Sequence, residues 1–288
     1  MIVGAFRRIR PLLILGRVSN LPTVWSNCLA GWWLGGGGNL PRLPVVFAGL
    51  SCLYLGGMFL NDAFDVEFDR NYRRDRPIPS GAISRRRVWR WGLAWLVLGA
   101  TLLFCLGLAP GILGLGLVLG IIAYDALHKL VTFSPILMGL CRFFVYVVAA
   151  AVGVNGINGE AIWCGLALAA YVTGLSFLAR RETVRRPLSY WPLTLLGLPV
   201  LLAVLLNAGR FRAPALLLAV VLILWEVRCL RPAFRAGNAN VGRTVGGLLA
   251  GIIFVDWLAA AQAPKPMGIA FLALFGSALL LQKSVPAT

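Results

Sequence analysis

The chain predicts an all-α, polytopic transmembrane bundle of nine or ten helices, read as one domain over residues 1–288. Three observations carry that prediction. Apolar residues make up 59% of the chain and charged residues 13%, against a charged share of about 25% in soluble domains. Mean hydropathy is +0.83. Apolar runs near the ~20 residues needed to cross a hydrocarbon core recur along the whole length, and no long polar insertion interrupts them.

The first expected span, 12–35, follows the basic stretch MIVGAFRRIR. Its apolar run continues to Trp33 without a small-residue cleavage pattern, so it reads as a retained span rather than a signal peptide. Gly35–Gly38 makes a short turn, lacking the Lys-Ser/Thr of a phosphate loop. Further spans are expected at 43–63, 87–107, 111–127, 135–154, 161–179, 190–207, 213–229 and 245–262, with a weaker tenth at 267–282. Arginines delimit alternate loops. Arg7, Arg8 and Arg10 precede span one, and Arg70, Arg73, Arg74, Arg76 and Arg85–Arg87 follow span two. Arg180, Arg181, Arg185 and Arg186 follow span six, and Arg228, Arg231, Arg235 and Arg243 follow span eight. The intervening loops carry only Arg42, Arg210, Arg212 and Lys265. The positive-inside rule then places the N-terminus and the even–odd loops in the cytoplasm.

This pattern also accounts for the net charge of +17. The arginines set topology and meet anionic lipid headgroups of the bilayer; without a soluble nucleic-acid module the charge does not point to nucleic acid. The six cysteines (Cys28, Cys52, Cys105, Cys141, Cys164 and Cys229) are dispersed in apolar runs. With no CxxC and no neighbouring histidine they fit neither a zinc site nor a disulfide framework. The absence of an organelle-targeting segment points to a bacterial inner membrane.

Against this background the stretch NDAFDVEFDRNYRRDRPIPSG, Asn61–Gly81, stands out, because five of the chain's ten acids fall between Asp62 and Asp75. At about 100° per helical residue, Asn61, Asp65, Asp69 and Asp62 share roughly one quarter of the circumference, while Glu67 points elsewhere. Three like charges on one stripe require a cation. Hard oxygens with room for further ligands suit Mg2+, which takes one or two carboxylates together with substrate phosphates. Pairing with Arg70, Arg73 and Arg74 is the alternative, although it needs no common stripe.

Asn61-Asp62-Ala63-Phe64-Asp65-Val66-Glu67-Phe68-Asp69, followed by Asp75-Arg76-Pro77-Ile78-Pro79-Ser80-Gly81, resembles the first aspartate-rich motif and its follow-on in the UbiA superfamily of intramembrane prenyltransferases. The position at the end of span two and the number of spans are similar as well. The resemblance implies a UbiA-like bundle that transfers an isoprenoid chain from a prenyl diphosphate to an acceptor, often aromatic, with Mg2+ on the diphosphate. By that likeness Asp62, Asp65 and Asp69 would be the catalytic metal ligands, and Asn61 would support them. Arg76 would stabilise the leaving group, under a loop closing over the phosphates.

Other residues at the same end become substrate-site candidates: Arg17 and Asn20 on span one, Tyr124 and Lys129 closing span four, and Arg142 within span five. Asp125 and His128 are candidates for acceptor binding or proton removal. Phe143, Phe144 and Tyr146 are candidates to line a tunnel for the isoprenoid. The family's second acidic motif, expected near the end of span six, is degenerate: Thr173–Thr183 contains only Glu182 as an acid. Either Arg180 and Arg181 bind diphosphate in its place, with Glu182 anchoring a single ion, or the scaffold has become a non-catalytic polyprenyl-lipid binding or transport protein. Asp256, acidic and alone in span nine, is a functional candidate without a named partner.

Overall fold

The computed structural model describes residues 2–38, 40–180, 190–207, 209–234 and 241–287. Among them there is no strand; twelve α-helices run in order. They are α1 Ile2–Leu15, α2 Leu21–Leu34, α3 Leu43–Phe64, α4 Val66–Tyr72, α5 Arg85–Cys105 and α6 Leu108–Leu127, then α7 Ser134–Ala150, α8 Gly159–Ala179, α9 Trp191–Leu206, α10 Arg212–Phe234, α11 Val241–Ala259 and α12 Lys265–Gln282. Nine of the ten expected spans hold one helix each, namely α3 and α5 to α12. Seven helices are long and apolar enough to cross a bilayer, and α7 and α9 are shorter apolar helices. Val97, Leu119, Leu205 and Leu217 on four different helices leave about two thirds of their surface uncovered, as befits side chains facing lipid. The protein is an integral membrane protein.

The first expected span is corrected. Residues 12–35 do not form one helix, because α1 stops at Leu15 and Arg17 takes a left-handed conformation, φ 40° and ψ 50°. A single 3-10 turn, Val18–Asn20, then leads into α2, whose second residue is Pro22. Proline suits the first turn of a helix, where its missing N–H leaves no bond unmade, so α2 begins where the sequence favours a start.

Two apolar clusters fill the bundle. One joins α2 and α7 to α8 through α12; the other joins the same two helices to α3, α5 and α6. Helices α2 and α7 are therefore common to both halves. Their backbones approach closely, since a Cβ built on Gly31 would lie 2.5 Å from the Tyr146 carbonyl oxygen and 3.0 Å from Ala149 Cβ. Helices α3 and α5 meet in the same manner, with Gly49, Gly56, Gly92 and Gly99 set against Leu103, Leu96, Leu60 and Leu53. Small residues at such seams let helices gain dispersion contact in a solvent that offers no hydrophobic drive between them.

Gly31→Val is expected to destabilise by about 1–3 kcal/mol through overpacking, read as a lower melting midpoint in detergent. Gly276→Ala, where a Cβ would meet nothing within 4 Å, should leave the midpoint unchanged or slightly raised.

Candidate functional site

The acidic stripe sits where α3 gives way to α4. The helix bends at Asp65, φ −81° and ψ −2°, but its register continues, since Asp65 N donates to the Asn61 carbonyl and Asp69 N to the Asp65 carbonyl, both at 2.9 Å. The stripe thus survives the bend. Glu67 faces outward and pairs with Arg70 at 3.3 Å, as the helical angles require.

Asp62 and Asp65 meet cations from different elements. Asp62, 3% exposed, pairs with Arg76 at 2.7 Å and Arg17 at 3.6 Å. Asp65 pairs with Lys129 at 2.7 Å and His128 at 3.1 Å, from the chain just after α6. Asn61 accepts from Arg17 Nη2 at 3.3 Å and donates to Asp125 Oδ1 at 3.0 Å. Two buried oxygens, Asp69 Oδ1 and Asp125 Oδ2, have no hydrogen-bond partner among the described residues.

Local structure explains how the cations are aimed. Arg17 is the sole non-glycine residue with positive φ among the described residues, and Tyr54 holds its carbonyl oxygen with a 3.3 Å hydrogen bond. Arg76 begins a turn in which Ser80 N donates to the Arg76 carbonyl at 2.9 Å and Ile83 N to the Pro77 carbonyl at 3.2 Å. Ile78 anchors this turn in a small cluster with Leu15, Phe59, Ala63, Val66 and Val88. Gly81 closes it at φ 78°, a conformation that suits glycine. Lys129 Nζ lies 4.5 Å from the centre of the Phe68 ring, and Tyr124 stacks on His128 at 5.2 Å.

The charges shift one another. Burial pushes the Asp69 carboxyl above its ordinary value, and the neighbouring Asp62 and Asp65 carboxylates push the same way against Arg76. Burial also acts on Asp65, but His128 and Lys129 outweigh it and hold that carboxyl below its ordinary 3.8. The His128 imidazole is lifted above 6.5, because Asp65 outweighs the opposing burial.

Beneath the stripe lies a cavity between α2, α3, α6 and α7. Its walls are mostly aliphatic, from Val24, Leu50, Leu117, Ile121 and Val145, with Tyr54, Tyr124, Asp125 and Arg142 as polar exceptions. Phe143, Phe144 and Tyr146 do not line it. Phe144 packs against the cluster of α3, α5 and α6, and Tyr146 is fully buried with its hydroxyl on Asp256.

The structure therefore gathers Arg17, Asn61, Asp62, Asp65, Asp69, Arg76 and Lys129 at one place, with Tyr124 at the cavity wall. It sets three candidates elsewhere. Asn20 donates to the Ala287 carbonyl at 2.9 Å. Arg180 clamps the turn after α6, donating to the carbonyls of Thr132 at 2.6 Å, Val131 at 3.1 Å and His128. Arg142 lies deeper, over the Tyr54 ring. Arg181 and Glu182 lie outside the described residues. Sequence reasoning missed Tyr54, Thr23, Ser26 and Asn27. The signal was polar residues at helical spacing inside an apolar run, the usual sign of hydrogen bonds between membrane helices.

Among the described residues no three His, Cys, Asp or Glu side chains surround a common point, because cations occupy Asp62 and Asp65. The donor set nevertheless fits a hard divalent ion: carboxylate oxygens, no thiolate, and two orphaned buried oxygens.

A helical membrane bundle thus carries a carboxylate-and-cation cluster at one end, directly above an aliphatic cavity. The sequence profile of the UbiA prenyltransferase family matches residues 20–187, over half the chain, and the chain belongs to that family. The digeranylgeranylglyceryl phosphate synthase of Ignicoccus hospitalis is 36% identical over 104 residues, covering 36% of this chain and 33% of the relative. That of Pyrococcus abyssi is 40% identical over 81 residues, covering 27% and 28%. The chloroplastic 2-acylphloroglucinol 4-prenyltransferase of Humulus lupulus is 33% identical over 95 residues, covering 30% and 23%. These matches span a third or less of each relative. A solved structure of digeranylgeranylglyceryl phosphate synthase shares the fold at TM-score 0.61 and 18% identity, over 94% of this chain and 99% of that one. A UbiA homologue from Archaeoglobus fulgidus bound to DMAPP and Mg2+ does so at TM-score 0.54 and 15% identity, over 94% and 99%.

A histidine raised by a carboxylate stabilises the folded state fully below its unfolded value and loses that contribution as pH rises through the raised one. The melting midpoint of the ligand-free protein should therefore fall between about pH 6 and pH 8, and His128→Gln should flatten that dependence.

Proposed function

We propose that this protein transfers an isoprenoid chain from a prenyl diphosphate to an acceptor within the membrane. The observation that carries this reading is the juxtaposition of a bracketed carboxylate stripe, with two orphaned oxygens, and an aliphatic cavity directly beneath it. The bound DMAPP and Mg2+ of the Archaeoglobus fulgidus homologue support it. Asp62, Asp65 and Asp69 would hold Mg2+, which when bound neutralises diphosphate charge as the leaving group departs. Arg17, Arg76, His128 and Lys129, which bracket the carboxylates in the ligand-free protein, are within reach of the phosphates once those carboxylates turn to metal.

The chemistry then follows from placement. The allylic carbon–oxygen bond breaks, its electron pair leaves with the diphosphate, and the guanidiniums and Lys129 stabilise that charge. The aliphatic walls keep water from the cationic carbon. An electron-rich atom of the acceptor forms the new bond, and Asp125 Oδ2, unpartnered at the cavity wall, takes the proton released. The relatives' names point to two kinds of acceptor, a glyceryl phosphate lipid and an acylphloroglucinol. The arginine-rich loops favour a cytoplasmic position for this end of the bundle.

With geranylgeranyl diphosphate and Mg2+, Asp65→Asn and Asp69→Asn should lower pyrophosphate release by about 10²-fold or more and abolish Mg2+-dependent thermal stabilisation by the diphosphate. Arg180→Gln should lower the melting midpoint yet keep that stabilisation. Full turnover in Asp65→Asn would sink the assignment. Diphosphate binding without pyrophosphate release in the presence of any acceptor would instead mark a lipid-binding protein on the same scaffold.

A further inference from the structure

The polar groups at the deep end of the cavity do not belong to the carboxylate stripe. Tyr54 precedes Asn61 by seven residues on α3, which places it roughly 10 Å deeper at 1.5 Å per residue. The Arg142 guanidinium carbon lies 5.9 Å from the centre of the Tyr54 ring. A diphosphate held at Asp62, Asp65 and Asp69 does not extend to that depth.

Arg142 is 8% exposed and lines the cavity. Its Nη1 donates to Asn27 Oδ1 at 2.7 Å and its Nη2 to Thr23 Oγ1 at 3.1 Å. Among the described residues no carboxylate lies within ion-pair distance of it. The balancing charge stands one side chain behind. Asn27 Nδ2 donates to Asp256 Oδ2 at 2.7 Å, and this fully buried carboxylate also accepts from Ser26 Oγ and, at 2.9 Å, from the Tyr146 hydroxyl. The Asn27 amide is thereby fixed in both directions, oxygen to Arg142 and nitrogen to Asp256. Asp256 is on α11, beyond the residues that the family profile matches.

We propose that Asp256 is a positioning residue that acts through Asn27 to hold Arg142, and that Arg142 so held recognises an anionic oxygen on the acceptor. A buried guanidinium without any counter-charge is costly in a membrane. A carboxylate in direct contact would satisfy it but also neutralise it as a binding group. The interposed amide keeps the negative charge near while leaving donors of the guanidinium fork towards the cavity. Each end of the cavity then fixes one reactant, the diphosphate above and the acceptor below, which is what orientation of two substrates requires. The acceptor's part in this inference rests on the prenyl-transfer reading, whereas the Asp256–Asn27–Arg142 relay does not. A carboxylate and a phosphate monoester share the chemistry.

The test is calorimetric titration of the full-length protein in detergent with two matched pairs, 4-hydroxybenzoate against phenol and geranylgeranylglyceryl phosphate against its dephosphorylated alcohol. At least one anionic member should bind tighter than its uncharged counterpart by about ten- to a hundredfold, and which one does so names the acceptor type. Arg142→Gln should erase that difference. Asp256→Asn should weaken the anionic member about three- to tenfold without changing the uncharged one, and the double variant should be no weaker than Arg142→Gln alone. Where Asp256→Asn does not fold, the near-isosteric Thr23→Val loosens the same guanidinium and should act in the same direction. Additive losses, equal loss for both members of a pair, or no preference for either anion in the wild type would overturn the proposal. Mg2+-dependent stabilisation by geranylgeranyl diphosphate, read on the same samples, reports the stripe independently. Its absence beside intact anion preference would sink prenyl transfer and leave the relay standing.

Discussion

The mutual repulsion of three carboxylates on one helical face is the constraint on which the rest of the site depends. Asp62, Asp65 and Asp69 cannot stay charged and buried together unless cations stand against them. The bundle supplies those cations from three separate places: the break before α2, the turn after α4 and the end of α6. Each contact ties a different segment to the end of α3. Assembly of the site and assembly of that end of the bundle are thus one event.

The arrangement is only partly satisfied, and that is chemically useful. Asp62 and Asp65 are paired with cations, while Asp69 and Asp125 each keep a buried oxygen without a hydrogen-bond partner among the described residues. A site with every oxygen paired would have no affinity for a metal; one with none paired would not hold its shape. On the proposed reading a divalent ion would take the carboxylates of Asp62 and Asp65 while a diphosphate takes Arg17, Arg76 and Lys129, so that each buried charge keeps an opposite partner.

The second polar network follows a different principle. Around Asp256 every contact is made within the bundle, linking α2, α7 and α11. These are the helices that the two apolar clusters share or that close one of them. Close approach at Gly31 brings α7 near enough to α2 for Arg142 to reach Asn27 and Thr23. Packing of small residues and placement of a buried cation are consequences of one helix crossing.

The sequence alone determined the helical membrane class, the span that carries the acids and the stripe of Asn61, Asp62, Asp65 and Asp69, because hydropathy and the 3.6-residue period are local properties of the chain. It also pointed to Arg17, Arg76 and Lys129, through residue types that resemble a known motif. Only the tertiary structure decided which cation meets which carboxylate, since those partners lie 14 to 64 positions away. It split the first span at Arg17, turned Arg180 onto loop carbonyls, and set Arg142 two helical turns below the stripe. It also gave Asp256 its partners from α2 and α7. Such pairings depend on how helices cross and how deep each sits, and neither crossing nor depth is written in the periodicity of a single segment.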